Sequence, residues 1–588
     1  MRVGRDSRLG GALSASILLL SAVTLAAGSV TPSSAHGSVA MAAAESVAAP
    51  TLPPRERAVG LVEPADRQPV AFRSPKPAVA APAGAPAAAA APLSAVLVGA
   101  LGIPELVLQA YRSAEAQLAT STPGCHLRTL ADEGRTDLLT LGVTPVLAAQ
   151  LDDPYSLDGM HHWLGNWQLR AAEAAGSRDP DRRALGHREH RRSAAALHEF
   201  ETRWRHGGAP RLRELADSGA VELLGGPSMH PFQPLLDPRL RTFALREGRA
   251  DAVRRWGRGT EGIWAPECAF TAGMELDYAA AGVGHFMVDG PALHGDTTCG
   301  RPVGDTHVVA FGRDLPVSYR VWSPKSGYPG HSAYRDFHTY DHDTGLKPSR
   351  VTGRSVAGPD KAPYEPERAA AAVRSHVEDF VDAVRRRLRS EHARTGSPAL
   401  VVAAFDTELF GHWWHEGPAW LAGILRALPE AGIRVGTLAG AKRDGYVGDP
   451  VDLPDTSWGS GKDWRVWAGD PVRDLVDLNA EVTATALDAV DAAPPGGLRD
   501  RVADQILRET MLTVSSDWAF MVSKDSAAQY ARDRAHKHAH AVREIADARV
   551  HGHHARAADL ASGWNQADDL FPDLDARRLQ PTGREVRA

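Results

Sequence analysis

The stretch that most constrains the fold spans residues 398–417. An apolar run, PALVVAA at 398–404, has the composition of a strand buried on both faces. It runs into Phe405-Asp-Thr-Glu-Leu-Phe-Gly-His-Trp-Trp-His-Glu-Gly417. A buried parallel strand that ends in acids, histidines and paired indoles does more than complete a core. Carboxyl groups move protons, and flat indoles suit the apolar faces of sugar rings. An ion-paired strand end over packed tryptophans is the purely structural use of the same residues.

A second stretch answers the first. Glu261-Gly-Ile-Trp-Ala-Pro-Glu-Cys-Ala-Phe270 is a short apolar strand ending at Glu267, beside Trp264. Pro266 has no N–H and fits the end of a strand better than its middle. Asp406 and Glu267 are so far apart in sequence that only a fold gathering strand ends on one face unites them. Strand-like runs at 137–145, 221–224 and 285–289 alternate with helical ones at 145–151 and 274–281. That alternation predicts a parallel sheet with right-handed crossovers. In closed β/α barrels catalytic groups collect at the strands' C-terminal ends, where Glu267, Asp289 and Asp406 all fall.

Four motifs occur in one order: Gly225-Gly-Pro-Ser-Met-His230 with Gln233-Pro234, Trp264-Ala-Pro-Glu-Cys268, Phe405-Asp-Thr-Glu-Leu-Phe-Gly-His-Trp-Trp414, and Ser515-Ser-Asp-Trp518. On these the chain resembles glycoside hydrolase family 57 and, within it, the 1,4-α-glucan branching enzymes of actinobacterial type. The resemblance implies an incomplete (β/α)7 barrel with a helical insertion and a C-terminal helical domain. It assigns Glu267 as nucleophile and Asp406 as acid/base, roles the residues alone leave open. Retaining transfer needs two carboxyls roughly 5–5.5 Å apart. As substrate-binding residues it suggests His230, Trp264, His412, Trp413, Trp414, Trp458, Asp517 and Trp518. Tyr328 would sit on a mobile aromatic loop at 321–343. The partner implied is an α-glucan, with no cofactor and no metal.

The expected reaction is transfer of an α-1,4-glucan segment to an α-1,6 position. An α-amylase or 4-α-glucanotransferase of the same family is the alternative, and a catalytically impaired glucan-binding protein a second. Asp406, Glu408 and His412 form a D-x-E-x-x-x-H pattern that a metal-dependent deacetylase would also show. The Trp pair and Glu267 have no purpose in that reading. Three cysteines make neither a disulfide framework nor a metal knuckle, and a net charge of −6 without a basic stripe argues against nucleic acid.

The resemblance fails at the N-terminus. Residues 1–35 read as a signal-like segment, with Arg2, Arg5 and Arg8 before an apolar stretch too short for a stable membrane span. Residues 36–126 are an Ala/Pro/Val-rich leader, disordered or mistranslated. The family's opening His-x-His-Leu-Pro type strand is absent; the run at 94–104 has no histidine. The expectation is a first barrel strand missing or altered, through a secreted leader or, as favoured here, a reading-frame error. Cytoplasmic location follows from the resemblance, while the signal-like segment points to secretion. The catalytic barrel is expected over 127–470, with the insertion at about 155–210, a helical domain over 471–560 and a tail over 561–588.

Overall fold

A computed structural model of the chain describes residues 22–27, 130–323, 325–353, 355–492 and 497–579. Nine strands are present among these: β1 (Ala22–Ala27), β2 (Leu139–Gly142), β3 (Val221–Leu224), β4 (Gly262–Ile263), β5 (His285–Asp289), β6 (Arg301–Pro302), β7 (Val309–Arg313), β8 (Val401–Asp406) and β9 (Val435–Gly436). Seven of them close a ring. One sheet runs β3-β2-β1-β8 and the other β4-β5-β7 with β6 on its edge. The Gly225–Ile263 bridge joins β3 to β4, and the Asp314 amide donates to the Val402 carbonyl across β7 and β8. The pairs β2–β3, β4–β5 and β5–β7 are parallel, so their C-terminal ends share one face. This is the (β/α)7 barrel. Strands β5, β7 and β8 are buried along their whole length, as a barrel lined inside and covered outside requires.

The first strand is the exception. β1 lies between β2 and β8 and is antiparallel to both. Residues read as part of a signal-like leader therefore stand in the barrel, and of the two expectations, a first strand missing or altered, the second holds: the strand is present but reversed. Reversal places Ala22 opposite Asp406. The end of β1 nearest the catalytic face is thus its N-terminal residue, and it brings no histidine there. The rest of the signal-like segment and the leader at 36–126 lie outside the described residues.

Between β2 and β3 the chain makes the expected helical excursion. Helices Pro154–Ala175 and Pro180–Glu199 form a hairpin, each begun by an Asp cap, Asp153 and Asp179, and by a proline in the first turn. The two pack closely at Gly186, where a Cβ would lie 2.1 Å from the Ala175 amide nitrogen. Any side chain there would push the hairpin apart.

Helices Arg473–Asp491, Arg501–Thr513, Ser516–Ser523, Ala528–Val550 and His554–Ala567 follow the barrel. Their shared core includes Val482, Ile506, Met511, Val542 and Ile545, and continues through Phe571, Leu574 and Leu579. The boundary expected at 560 therefore falls inside a helix, and the expected tail is packed as far as Leu579. No helix among the described residues is long and apolar enough to cross a membrane.

Candidate active site

Glu267 leaves β4 in a 3-10 turn, Pro266–Cys268, whose backbone is unusual. Glu267 has φ 62° and Cys268 φ 49°, the left-handed region that L-residues seldom occupy. Strain of this kind persists where surroundings over-determine it, and here they do. The Glu267 carbonyl accepts from the Trp458 amide at 2.8 Å. Its carboxylate accepts from the Trp458 indole N–H at 2.8 Å and from the Ser516 hydroxyl at 2.9 Å. The side chain is 0% exposed. Burial pushes the carboxyl up to about 7, while the Trp458 and Ser516 hydrogen bonds pull it back.

Asp406 closes β8 and is 3% exposed. Burial raises it to about 7; Arg313 lowers it and Glu267 raises it. The two carboxyls are therefore near enough to feel one another's charge across the barrel mouth. Asp406 Oδ1 has no hydrogen-bond partner. Beneath the pair, Arg313 at the end of β7 donates to Asp289 at 2.9 Å and lies with its guanidinium carbon 5.2 Å from the Trp458 ring centre. Lys462 pairs with the other Asp289 oxygen at 2.6 Å and donates to the Trp458 carbonyl at 2.9 Å. Asp289 is thus neutralised by two cations rather than left to react. This arrangement fixes Trp458 against Glu267.

A second arm reaches Glu267 from the helical domain. The loop after β3 passes under helix Pro238–Trp256 at Gly248, where a Cβ would sit 2.0 Å from the Gly226 carbonyl oxygen. It delivers His230, φ 50°, to a Pro231–Ser515 bridge with the domain. The Ser516 amide donates to the His230 carbonyl at 3.0 Å, and Ser516 Oγ lies 3.0 Å from His230 Nδ1. With its proton given to Glu267, the Ser516 oxygen accepts from Nδ1–H. His230 Nε2 is then a bare acceptor, and it is buried without a partner. Burial lowers the imidazole to about 4, so it stays neutral. The geometry makes Nε2 a hydrogen-bond acceptor. Asp517, 5% exposed, is pushed well up by burial, by Glu267 and by Glu408, while a hydrogen bond from the Ser515 hydroxyl at 3.0 Å pulls it back.

Not every expected sugar contact reaches this centre. Trp458 does, as a donor to Glu267, and Trp264 packs edge-on against it at 5.2 Å between ring centres. Trp413 is 40% exposed and stacks on Trp322 at 6.2 Å. His412 lies edge-on to Phe337 at 4.9 Å. Three residues are corrected. Trp414 is 1% exposed and packs on Trp420 at 5.2 Å within the barrel's outer core. Tyr328 is buried in the same core, where its hydroxyl donates to Asp379 at 2.5 Å. Trp518 is buried in the helical domain, donating to the Leu512 carbonyl at 2.9 Å. Burial of apolar area outweighs exposure for a ring that any neighbouring core can accept. Arg313, Lys462 and Ser516 were missed. Only Ser516, inside a quoted motif, carried a signal.

His230, Glu267 and Asp517 offer ligand atoms within 4.8 Å of one another, the one group at the barrel mouth among the described residues that could hold a cation. Asp406, Glu408 and His412 do not form such a group among these residues. The geometry that the deacetylase reading needs is therefore not met there.

Comparison with known proteins settles the lineage. The profile described as glycosyl hydrolase family 57 matches residues 195–441, and that of the 1,4-alpha-glucan branching enzyme C-terminal region matches residues 479–578. A probable 1,4-alpha-glucan branching enzyme of Mycobacterium tuberculosis (strain H37Rv) is 67% identical over 474 residues, covering 77% of this chain and 90% of the relative. The chain belongs to glycosyl hydrolase family 57. A 1,4-alpha-glucan branching enzyme of Thermococcus kodakarensis is 30% identical over 462 residues, 71% of this chain and 67% of that one. The crystal structure of a family 57 branching enzyme from Pyrococcus horikoshii superposes with a TM-score of 0.73 at 25% identity, covering 80% of this chain and 92% of the other.

Proposed function

We propose that the chain is a retaining 1,4-α-glucan branching enzyme with Glu267 as nucleophile and Asp406 as general acid/base. The observation that carries this reading is the pair itself: two buried carboxyls at strand ends, each raised to about 7, one of them raised further by the other's charge. Such a pair holds one proton near neutrality, which is the starting state retention requires.

Glu267, kept ionised by Trp458 and Ser516, attacks the anomeric carbon of an α-1,4-linked unit. The C1–O4 bond breaks as Asp406 passes its proton to the departing O4. The glycosyl-enzyme ester is then attacked by the 6-hydroxyl of a second glucan, whose proton returns to Asp406. One α-1,4 bond is exchanged for one α-1,6 bond and no water is consumed. His230 Nε2 accepts from a substrate hydroxyl, and the unpartnered Asp517 Oδ1 hydrogen-bonds another. Trp264, His412 and Trp413 flank the substrate path. The catalytic barrel takes in β1 and the described residues between 130 and 470, and the helical domain the described residues between 471 and 579. The cytoplasm, where such glucans are made, is the proposed location; fractionation with an antibody tests it.

Incubation with amylose, followed by debranching and chain analysis, tests the function. Branching predicts new α-1,6 linkages from wild type and none from Asp406→Asn. Reducing sugar released without α-1,6 linkages would make the protein an amylase instead.

A further inference from the structure

A cavity stands between the helical hairpin and the loop that follows Asp406. Its walls come from three places: the hairpin, residues 335–347, and Gly411–Trp413 with His415. The hairpin supplies Trp163 and Trp167, the central loop Phe337 and Tyr340, and the catalytic strand's loop Trp413. Flat aromatic walls of this kind take the apolar faces of sugar rings. The enclosed volume is about 100 Å³ and the cavity opens to solvent, so a sugar would lie across its mouth rather than inside it.

What distinguishes the cavity is its charge. Arg170, Arg192, Arg335 and Lys347 line it, against only Glu189 and Asp336. Both acids are already engaged. Glu189 pairs with Arg335 at 3.0 Å and with Arg192 at 3.3 Å. Asp336 pairs with Lys361 at 2.5 Å and accepts from the Thr339 amide. Lys347 has no carboxylate within ion-pair distance among the described residues. Its ammonium instead lies 3.8 Å from the Phe337 ring centre and 5.3 Å from that of Tyr340. Burial lowers it to about 7, with the Arg335 charge adding to the effect. The protein thus holds a partly desolvated cation over aromatic faces, and the anion whose charge acts on it, Asp336, is already paired with Lys361. A neutral glucan has no group to answer that charge.

We infer that this cavity binds an α-glucan bearing an anionic group, with the aromatic rings holding the sugars and Lys347 reading the charge. The inference rests on the α-glucan reading of the neighbouring centre and adds a substrate class to it. A carboxylate and a phosphate share the required chemistry, and the test separates them.

Three probes differ only at the former reducing end: maltotetraitol, maltotetraonate and maltotetraose 1-phosphate. Titration calorimetry on the full chain at pH 6.5 and low salt should show one anionic probe binding at least about tenfold tighter than maltotetraitol, a gap of about 1.4 kcal/mol. Which anion gains identifies the group. The preference should fall with added salt, vanish in Lys347→Met and survive in Lys347→Arg, whose retained preference also reports an intact fold. Equal binding of all three probes overturns the inference, as does a preference that persists in Lys347→Met. Amylose branching by wild type is scored separately, so its failure would count against the catalytic reading and not against this one.

Discussion

The molecule buries two clusters of acid and histidine, and they differ in what surrounds them. At the barrel mouth His230, Glu267 and Asp517 converge; in the helical domain Glu509, His538 and Asp568 do. All six are buried. In the helical domain Glu509 and His538 are fully engaged, and only Asp568 Oδ2 of the three residues is left without a partner. His538 is bonded to Glu509 at 2.7 Å and to Arg534 at 3.1 Å, and Gln505 donates to Glu509 at 2.7 Å. The Arg508, Lys537 and Arg534 charges act on Glu509 as well. At the barrel mouth no lysine or arginine among the described residues pairs with Glu267 or Asp517, neutral His230 lies 3.9 Å from Asp517, and among the same residues His230 Nε2, Asp517 Oδ1 and nearby Asp406 Oδ1 have no hydrogen-bond partner. Burial alone does not mark a reactive site. Hydrogen-bonding capacity left open toward a cleft does, because something else must satisfy it.

The sharpest way to break this contrast is to remove the acids. Glu267→Gln and Asp406→Asn should each lower branching of amylose at least about 10³-fold with little change in melting temperature, read by debranching assay and calorimetry. A comparable loss of activity from a change in the helical cluster would erase the distinction. There the expected cost is stability. His538→Ala removes a partner of buried Glu509 and should cost about 3 kcal/mol in chemical denaturation, while activity per folded molecule holds.

The pH dependence of the two clusters should differ in kind. Burial holds Glu509 up at about 8 in the fold, against an ordinary value of 4.5. A raised acid favours the fold while protonated, so its contribution is full below about 4.5 and is lost as pH rises through 8. The difference in melting temperature between wild type and Glu509→Gln should shrink over that window. Glu267 and Asp406 instead govern rate. Their shared proton gives a bell-shaped kcat/KM profile centred near pH 7.

The smallest expected effect is the most specific. Ser516→Ala removes one hydrogen bond that favours ionised Glu267, so the apparent pKa of this proposed nucleophile rises. The acidic limb of the profile should move upward, with about a tenfold loss of kcat/KM below neutrality. A uniform loss at every pH would mean that Ser516 acts only through packing.

Strands that carry both an apolar run and a chemical ending were legible in the sequence. The ends of β3, β4, β5 and β8 were located from residue pattern, the alternation with helices gave a parallel sheet, and the barrel came from the family resemblance. Strand β7 was not found, since Val309–Arg313 contains a glycine and ends in an arginine that reads as surface. In the fold that arginine is buried against Asp289. The tryptophans show the complementary failure. Trp413 and Trp414 are adjacent, yet one is 40% exposed and the other 1%. Their chemistry is identical, and only the facing helix Gly417–Glu430, with Trp420, decides which is core. The reversed β1 was unreadable because a short Ala/Val/Leu run carries no direction.

Ser516 belongs to the last third of the chain, and the acid it touches belongs to the middle. The charge state of the reacting group is therefore set partly by a region that a deletion experiment would class as dispensable scaffolding. A trimmed barrel lacking those helices would not be a smaller version of the same catalyst: its attacking group would hold its proton more tightly. Grafting the C-terminal helices of a relative onto this barrel is accordingly a way to retune acidity without altering any residue of the barrel itself.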